Sequence, residues 1–287
     1  MKSLLPSLML VAAIGALPAP AQPKRIVSTL PSATETLFAL GVGDRVVAVS
    51  TYCRYPPAVL SLPKVGSYIK PDAEKIARLQ PDLVILQKEA STLPDRLTAL
   101  GIRYETVRFE SLADIYEMMR QIGATVGAPA RAASLNQSIH DRLAAIRSAN
   151  QGHAKPSALM IVGRTPGLLT NLIAVASSTY LSELLDIAGG TNALKTSTIP
   201  YIHISLETVV RLDPDVILDL SMMGEAGEPG VAEQRLRQPW MSHVELQAVR
   251  KGNVFGLTSE TLVTPGPRVV DAVEEIRSRL MKSRGAK

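Results

Sequence analysis

The sequence predicts an α/β protein of two Rossmann-like lobes with central parallel-type sheets, bridged by one long rigid helix. In both halves of the chain, short runs of β-branched residues alternate with amphipathic segments, a pattern typical of parallel sheets. Residues 74–85 and 207–218 also match without a gap, sharing Glu, Arg, Leu, Pro and Asp. Between the halves, residues 129–151 begin with proline, carry an apolar stripe and end before Gly152. They predict a helix about 33 Å long.

Turn residues bound the predicted helices. Gly41 and Gly101 follow two helices of the first half, and Gly189 follows one of the second, because glycine is favoured just after a helix end. The first half is predicted to contain strand 25–29, helix 32–40, strand 45–50, helix 73–79, strand 83–86, helix 93–100, strand 102–109 and helix 112–126. The second half is predicted to contain strand 158–162, helices 180–188 and 205–212, strand 216–220, helix 231–237, strand 253–257 and helix 268–281.

These elements predict three parts after the first 21 residues. A first lobe occupies residues 22–128, a bridging helix residues 129–151 and a second lobe residues 152–287. A rod of this length holds the lobes at a nearly fixed separation and leaves a cleft between them. Clefts at domain interfaces are common sites for small ligands.

Composition and motifs exclude several classes of function. The chain is 46% hydrophobic and 20% charged, as in ordinary globular proteins. Its one cysteine excludes an intramolecular disulfide and a cysteine-cluster metal site, and the four histidines lack helical ligand spacing. The net charge of +5 comes from scattered basic residues, which does not indicate nucleic-acid binding. The G-x-S-x-G, P-loop and H-E-x-x-H motifs are absent, which argues against an enzyme.

The first 21 residues have the organisation of a secretory signal peptide. Lys2 precedes an apolar run at residues 4–17, and Ala19-Pro20-Ala21 provides an A-x-A ending. The run is too short for a lasting transmembrane helix, which needs about 20 residues. We therefore expect cleavage near Ala21 and a mature chain in the periplasm.

Four segments carry a resemblance to a known family. They are residues 25–41 (RIVSTLPSATETLFALG), 47–57 (VAVSTYCRYPP), 62–66 (LPKVG) and 74–85 (EKIARLQPDLVI). In this order and spacing they resemble the periplasmic substrate-binding proteins of cobalamin and iron-chelate ABC importers. The resemblance implies the class III fold of these proteins and no catalysis or cofactor. It also implies a monomer that captures a bulky chelate and delivers it to a permease dimer.

The same resemblance implies the cargo and the functional residues. The stretch Tyr-x-x-Tyr-Pro-Pro favours a corrinoid, whereas a ferric siderophore or haem is the alternative within the same fold. Glu74 and Glu207 match the glutamates that dock on arginines of the permease, although a carboxylate is favoured at a helix start in any case. The residues expected to bind the ligand are Tyr52, Tyr55, Tyr68, Tyr201, His203 and Arg268. Tyr68 and Tyr201 stand where relatives carry tryptophan, and Arg268 is expected to pair with a phosphate or carboxylate of the ligand.

Two residues leave the chemistry of the cargo open. His203 would ligate cobalt or haem iron if it faced the cleft, and Cys53 would offer a thiolate. The alternatives are a hydrogen-bonding histidine and a small buried thiol. No dedicated metal site is predicted. From other classes, a secreted α/β enzyme predicts an acid and a base facing across the cleft, and an adaptor protein predicts a closed cleft without ligand.

Overall fold

The computed structural model describes residues 22–88, 93–195, 199–221 and 229–285. Two lobes are each built on one β-sheet, and one helix connects them. The predicted signal peptide lies outside the described residues. Within the described part of the chain, no helix combines the length and the apolar character that a membrane span requires.

The first lobe contains a fully parallel sheet. Its strands are β1 (Ile26–Ser28), β2 (Val46–Val49), β3 (Leu83–Gln87) and β4 (Tyr104–Val107), in the order β2-β1-β3-β4. Its helices are α1 (Pro31–Ala39), α2 (Ala73–Arg78), α3 (Leu93–Ala99) and α4 (Leu112–Thr125). The first four residues of β3 are buried, as expected for a strand that helices cover on both faces.

The sheet of the second lobe is mixed. Its strands are β5 (Ser157–Gly163), β6 (Leu172–Val175), β7 (Thr191–Asn192), β8 (Tyr201–Ile204), β9 (Val216–Asp219) and β10 (Val254–Gly256). The main order is β10-β9-β5-β6-β8, with β7 paired to β5. Strands β5, β9 and β10 are parallel, whereas β6 runs antiparallel to both neighbours. The sequence pattern did not predict β6, β7 or β8. Strand β6 follows β5, and β8 follows β7, without an intervening helix, so they do not fit the strand–helix alternation from which the other strands were predicted.

The five α-helices in the described second lobe are α6 (Tyr180–Ile187), α7 (Leu206–Leu212), α8 (Pro229–Arg237), α9 (Gln247–Arg250) and α10 (Val269–Gly285). Four of the five correspond to predicted helices, and α9 was not predicted. Helix α6 packs against α10. The predicted fold class, two α/β lobes joined by a long helix, is confirmed. The predicted limits of the lobes as separate domains stay a prediction.

Helix α5 (Pro129–Ala149) connects the lobes and packs on both of them. Its buried residues Ala132, Ile139 and Leu143 belong to one apolar cluster with residues of α4 on one side and of α6 and α10 on the other. A Cβ atom at Gly123 of α4 would lie 2.4 Å from the Cβ of Ala132, so glycine is needed where the two helices approach. The connection is therefore part of the core rather than a flexible linker.

The two matched sequence segments fold alike. Each forms a short helix and then a parallel strand, α2 and β3 in the first lobe, α7 and β9 in the second. The residues between them, Gln80 and Asp213, both adopt left-handed backbone with φ of 47° and 37°. The aspartate after each proline accepts a backbone N–H at the start of a central strand. Asp82 accepts from Arg25, the residue before β1, at 2.9 Å, and Asp215 accepts from Ser157 of β5 at 3.0 Å. The sequence repeat is a structural repeat.

Candidate functional site: the cleft between the lobes

Two adjoining cavities of ≈ 380 Å³ and ≈ 520 Å³ form a cleft between the lobes. The residues that line both cavities are Gln87, Phe109, Val263 and Pro265. Gln87 ends β3, and Phe109 follows the end of β4. The cleft therefore lies at the carboxyl ends of parallel strands, where open α/β sheets bind ligands.

The first-lobe wall of the cleft presents two tyrosines predicted from the sequence. Tyr52 and Tyr68 line the same cavity, and their rings meet edge to face with centroids 5.2 Å apart at 73°. The loop after β2 positions them, because backbone hydrogen bonds tie residue 65 to Val49 and residue 72 to residue 65. Tyr52 is half-exposed, so its ring offers an apolar face to a ligand.

Tyr201 lies on the opposite wall, at the start of β8. Its ring lines the second cavity and is half-exposed. Partial burial raises the pKa of its phenol, and the charges of Glu110 and Tyr68 add to this rise. The side chain is therefore a protonated phenol at neutral pH, suited to stacking and hydrogen bonding.

His203 lies two residues further along β8, on the face that also carries Tyr201. The side chain is exposed, but it is not among the residues that line the two cavities. The described residues contain no group of three or more His, Cys, Asp or Glu side chains able to hold a metal ion. A role of His203 as a ligand of cobalt or iron stays a prediction.

Arg268, Glu35 and Tyr55 form a cluster between the lobes that we call the base of the cleft, although none of the three lines either cavity. The predicted ligand-binding residues Tyr55 and Arg268 therefore contact each other outside the lining of the two cavities. Nε and Nη2 of Arg268 donate hydrogen bonds to the two carboxylate oxygens of Glu35, the first at 2.8 Å. The guanidinium carbon lies 4.1 Å from the centroid of the Tyr55 ring. Burial raises the pKa of the Glu35 carboxyl, and the hydrogen bonds from Arg268 offset part of that rise. Glu35 already occupies the guanidinium that we expected to bind an anionic group of the ligand, so that role stays a prediction.

Backbone contacts also join the two lobes. The N–H of Tyr180 donates to the carbonyl oxygen of Glu110 at 2.7 Å, across the two lobes. A Cβ atom on Gly266 would lie 3.3 Å from the Cα of Ser32, so the backbones of the two lobes approach closely there. These contacts join the two lobes directly.

A second ion pair spans the cleft, and we call it the mouth pair. Nη1 of Arg54, in the first lobe, lies 2.9 Å from Oε1 of Glu260, in the second lobe, and both residues line the first cavity. The side chains are 45% and 39% exposed, against 22% and 4% for Arg268 and Glu35. Sequence analysis missed this pair, because nothing in a sequence indicates which partner an arginine meets 206 positions away.

Cys53 lies outside the wall of the cleft although it follows Tyr52. Its thiol is buried and lies 3.2 Å from the Thr34 hydroxyl and 3.3 Å from the Ser50 hydroxyl. Burial raises the pKa of the thiol, against the opposing effect of these hydrogen bonds. This environment favours a neutral structural thiol over a thiolate ligand.

Glu74 and Glu207 occupy equivalent, exposed positions in the first turns of α2 and α7. Asp72 and Ser205 precede these helices and accept hydrogen bonds from their first N–H groups. Strand β8 leads directly into α7 and is parallel to β5, so Glu207 lies at the carboxyl edge of its sheet. Helix α2 likewise starts near the carboxyl end of β2. Both glutamates therefore lie at the sheet edges that border the cleft.

Comparison with known proteins places this architecture in a family. A family model of periplasmic binding proteins matches residues 26–261. The vitamin B12-binding protein of Vibrio cholerae is 30% identical over 264 residues, which cover 90% of this chain and 89% of that protein. The crystal structure of the periplasmic vitamin B12-binding protein BtuF of Vibrio cholerae matches with a TM-score of 0.75 at 28% identity, covering 91% of this chain and 98% of that one.

A third match binds a different ligand. The structure of a periplasmic haem-binding protein from Pseudomonas aeruginosa has a TM-score of 0.77 at 25% identity and covers 90% of this chain and 92% of that one. Together the matches confirm the predicted resemblance and the two-lobed fold class. The chain belongs to the periplasmic binding protein family.

Proposed function

We propose that this protein is the extracytoplasmic substrate-binding component of an ABC importer and that its cargo is a corrinoid. The observation that carries the proposal is a cleft with tyrosines from both lobes, Tyr52 and Tyr68 lining one of its cavities and Tyr201 the adjoining one. A flat macrocycle bound in such a cleft gains from aromatic contact. Residues 1–21 direct export, and the mature protein works as a monomer.

The identity of the relatives supports binding rather than catalysis, and a corrinoid rather than another chelate. The relative at 30% identity is a vitamin B12-binding protein, and the match covers nearly the whole mature chain. The glutamates that line the described cleft are each paired with an arginine, which favours the ionised carboxylate over the protonated form that a general acid needs. These observations argue against the secreted-enzyme alternative.

Haem is the second candidate cargo. The structural match to a haem-binding protein supports it, as does the shared strand face of Tyr201 and His203, since tyrosine and histidine both ligate haem iron. The shared fold does not distinguish haem from a corrinoid as the cargo. Only the chemistry of the ligand that binds distinguishes them.

Isothermal titration calorimetry of residues 22–287 with cyanocobalamin, hemin and a ferric hydroxamate siderophore tests the cargo. We expect submicromolar binding of cyanocobalamin at one to one. Binding of hemin alone would reassign the cargo to haem and make His203 the next residue to substitute. Binding of none would contradict the proposal and favour the adaptor interpretation.

Docking on the importer is tested by charge reversal at the two equivalent helix starts. Glu74→Arg combined with Glu207→Arg should abolish cargo transport into proteoliposomes that contain the cognate importer, because both charges would then repel arginines of the permease. Calorimetry should show cyanocobalamin binding within about twofold of wild type. The matched control combines Glu117→Arg and Glu245→Arg, exposed glutamates of the two lobes outside these helices. Equal loss of transport in the control, or loss of cargo binding in the test variant, would contradict the docking role.

A further inference from the structure

The charges in the cleft are compensated. Among the described residues that line the two cavities, the charged side chains are Arg54, Glu260 and Glu110. Arg54 and Glu260 form the mouth pair, and Glu110 lies 2.9 Å from Arg108. The arginine at the base, Arg268, is bound to Glu35. Arg54, which lines the described cleft, and Arg268, which lies outside its lining, are therefore both paired with a glutamate.

This arrangement affects charged and uncharged ligands differently. Glu260 is shown bonded to one N–H of Arg54, so a ligand group can accept from the other N–H groups of this exposed guanidinium. An anionic group bound there lies beside the Glu260 carboxylate, which repels it. An amide avoids this repulsion, because its carbonyl accepts from the guanidinium while its N–H donates to the carboxylate. The mouth pair is exposed to a similar extent on both sides, so it is open to such contacts on entry of a ligand.

We infer that the Arg54–Glu260 pair determines specificity, selecting an uncharged, amide-rich cargo against an anionic chelate of the same size. The inference rests on the proposed function, since it presupposes that the cleft holds the cargo. It assigns the selection to the mouth pair rather than to the base, where burial prevents Glu35 from yielding its arginine.

The sharpest test uses two ligands that differ by one charge. Cyanocobalamin carries propionamide side chains, and mild hydrolysis converts one of them to a carboxylate, giving a monocarboxylic acid of otherwise identical shape. Calorimetry with each ligand gives the ratio of their dissociation constants. Wild-type protein should bind the amide form more tightly than the acid.

Three variants and one control test whether the mouth pair sets the preference for the amide form over the acid. Glu260→Gln leaves Arg54 unpaired and should shift the ratio toward the acid by about threefold to tenfold. Arg54→Gln leaves Glu260 unpaired and should shift it the other way. The double variant is neutral again and should return the ratio close to that of wild type. Glu245→Gln, an exposed glutamate outside the cleft, should leave the ratio unchanged.

The outcomes separate this inference from the proposed function. Corrinoid binding with a ratio insensitive to Glu260→Gln, or a wild-type preference for the acid, would overturn the inference and leave the function standing. Tight binding of hemin, a dicarboxylate, by wild type in the absence of corrinoid binding would overturn the inference and reassign the cargo. Absence of binding by either class of chelate would overturn both.

Discussion

The base and the mouth of the cleft each contain one arginine–glutamate pair between the lobes, in opposite environments. At the base, Glu35 is buried and Arg268 is covered by Tyr55, whereas both partners of the mouth pair are more than a third exposed. Exposed pairs contribute about 0–1 kcal/mol to stability, while removing one partner of a buried pair leaves a costly unpaired charge. The comparison indicates that the base holds the lobes together and that the mouth is free to respond to cargo.

The largest effect is expected at the base. Arg268→Ala should lower the free energy of unfolding by about 2–3 kcal/mol, because Glu35 stays buried without its partner; the figure is reduced from that of a fully buried pair since Arg268 is partly exposed. Urea denaturation measures the change. The matched control Arg54→Ala should cost less than about 1 kcal/mol. Equal decreases in the free energy of unfolding for Arg268→Ala and Arg54→Ala would contradict the difference proposed between the base and the mouth.

The next effect is expected in the walls and concerns affinity rather than stability. Tyr52→Ala and Tyr201→Ala should each weaken cyanocobalamin binding about tenfold, since each removes a half-exposed ring that the cargo would cover. Calorimetry and urea denaturation of the same samples separate affinity from folding. Tyr52→Phe and Tyr201→Phe retain the ring and should lose less affinity for cyanocobalamin than the alanine variants. An alanine variant with full affinity would show that the cargo binds elsewhere.

Some features of the fold and of the cleft could be predicted from the sequence, and others could not. The strand–helix order of the first lobe, the bridging helix and the equivalence of Glu74 and Glu207 follow from local patterns, and the structure agrees with them. The role of Glu35 was not predictable, because a carboxylate in an N-terminal helix segment is ordinarily solvated and only tertiary packing buries it. The mouth pair was missed for a related reason, since its partners meet only when both lobes are folded.

The smallest effect is a pH dependence confined to the base. Burial raises the pKa of Glu35 above its ordinary value of 4.5, so the folded protein holds this proton more tightly than the unfolded chain. The stabilisation that the protonated Glu35 carboxyl gives the folded protein is fully present below the pKa of this group in the unfolded chain. It is lost as the pH rises through the pKa of the folded state. The free energy of unfolding of wild type relative to Glu35→Gln should therefore fall as the pH rises from about 4 into the range above 4.5. A difference that grows with pH would contradict this direction of the shift.

The central claim is that the cargo lies between the aromatic walls and above the base. The most direct measurement is a crystal structure of the mature protein with cyanocobalamin. We predict density for the corrin ring between Tyr52 and Tyr201, with propionamide groups in contact with Arg54 and Glu260 and with the Glu35–Arg268 pair intact. Density for the ligand outside the cleft, or a Glu35–Arg268 pair opened by a ligand group that binds the arginine, would contradict the account.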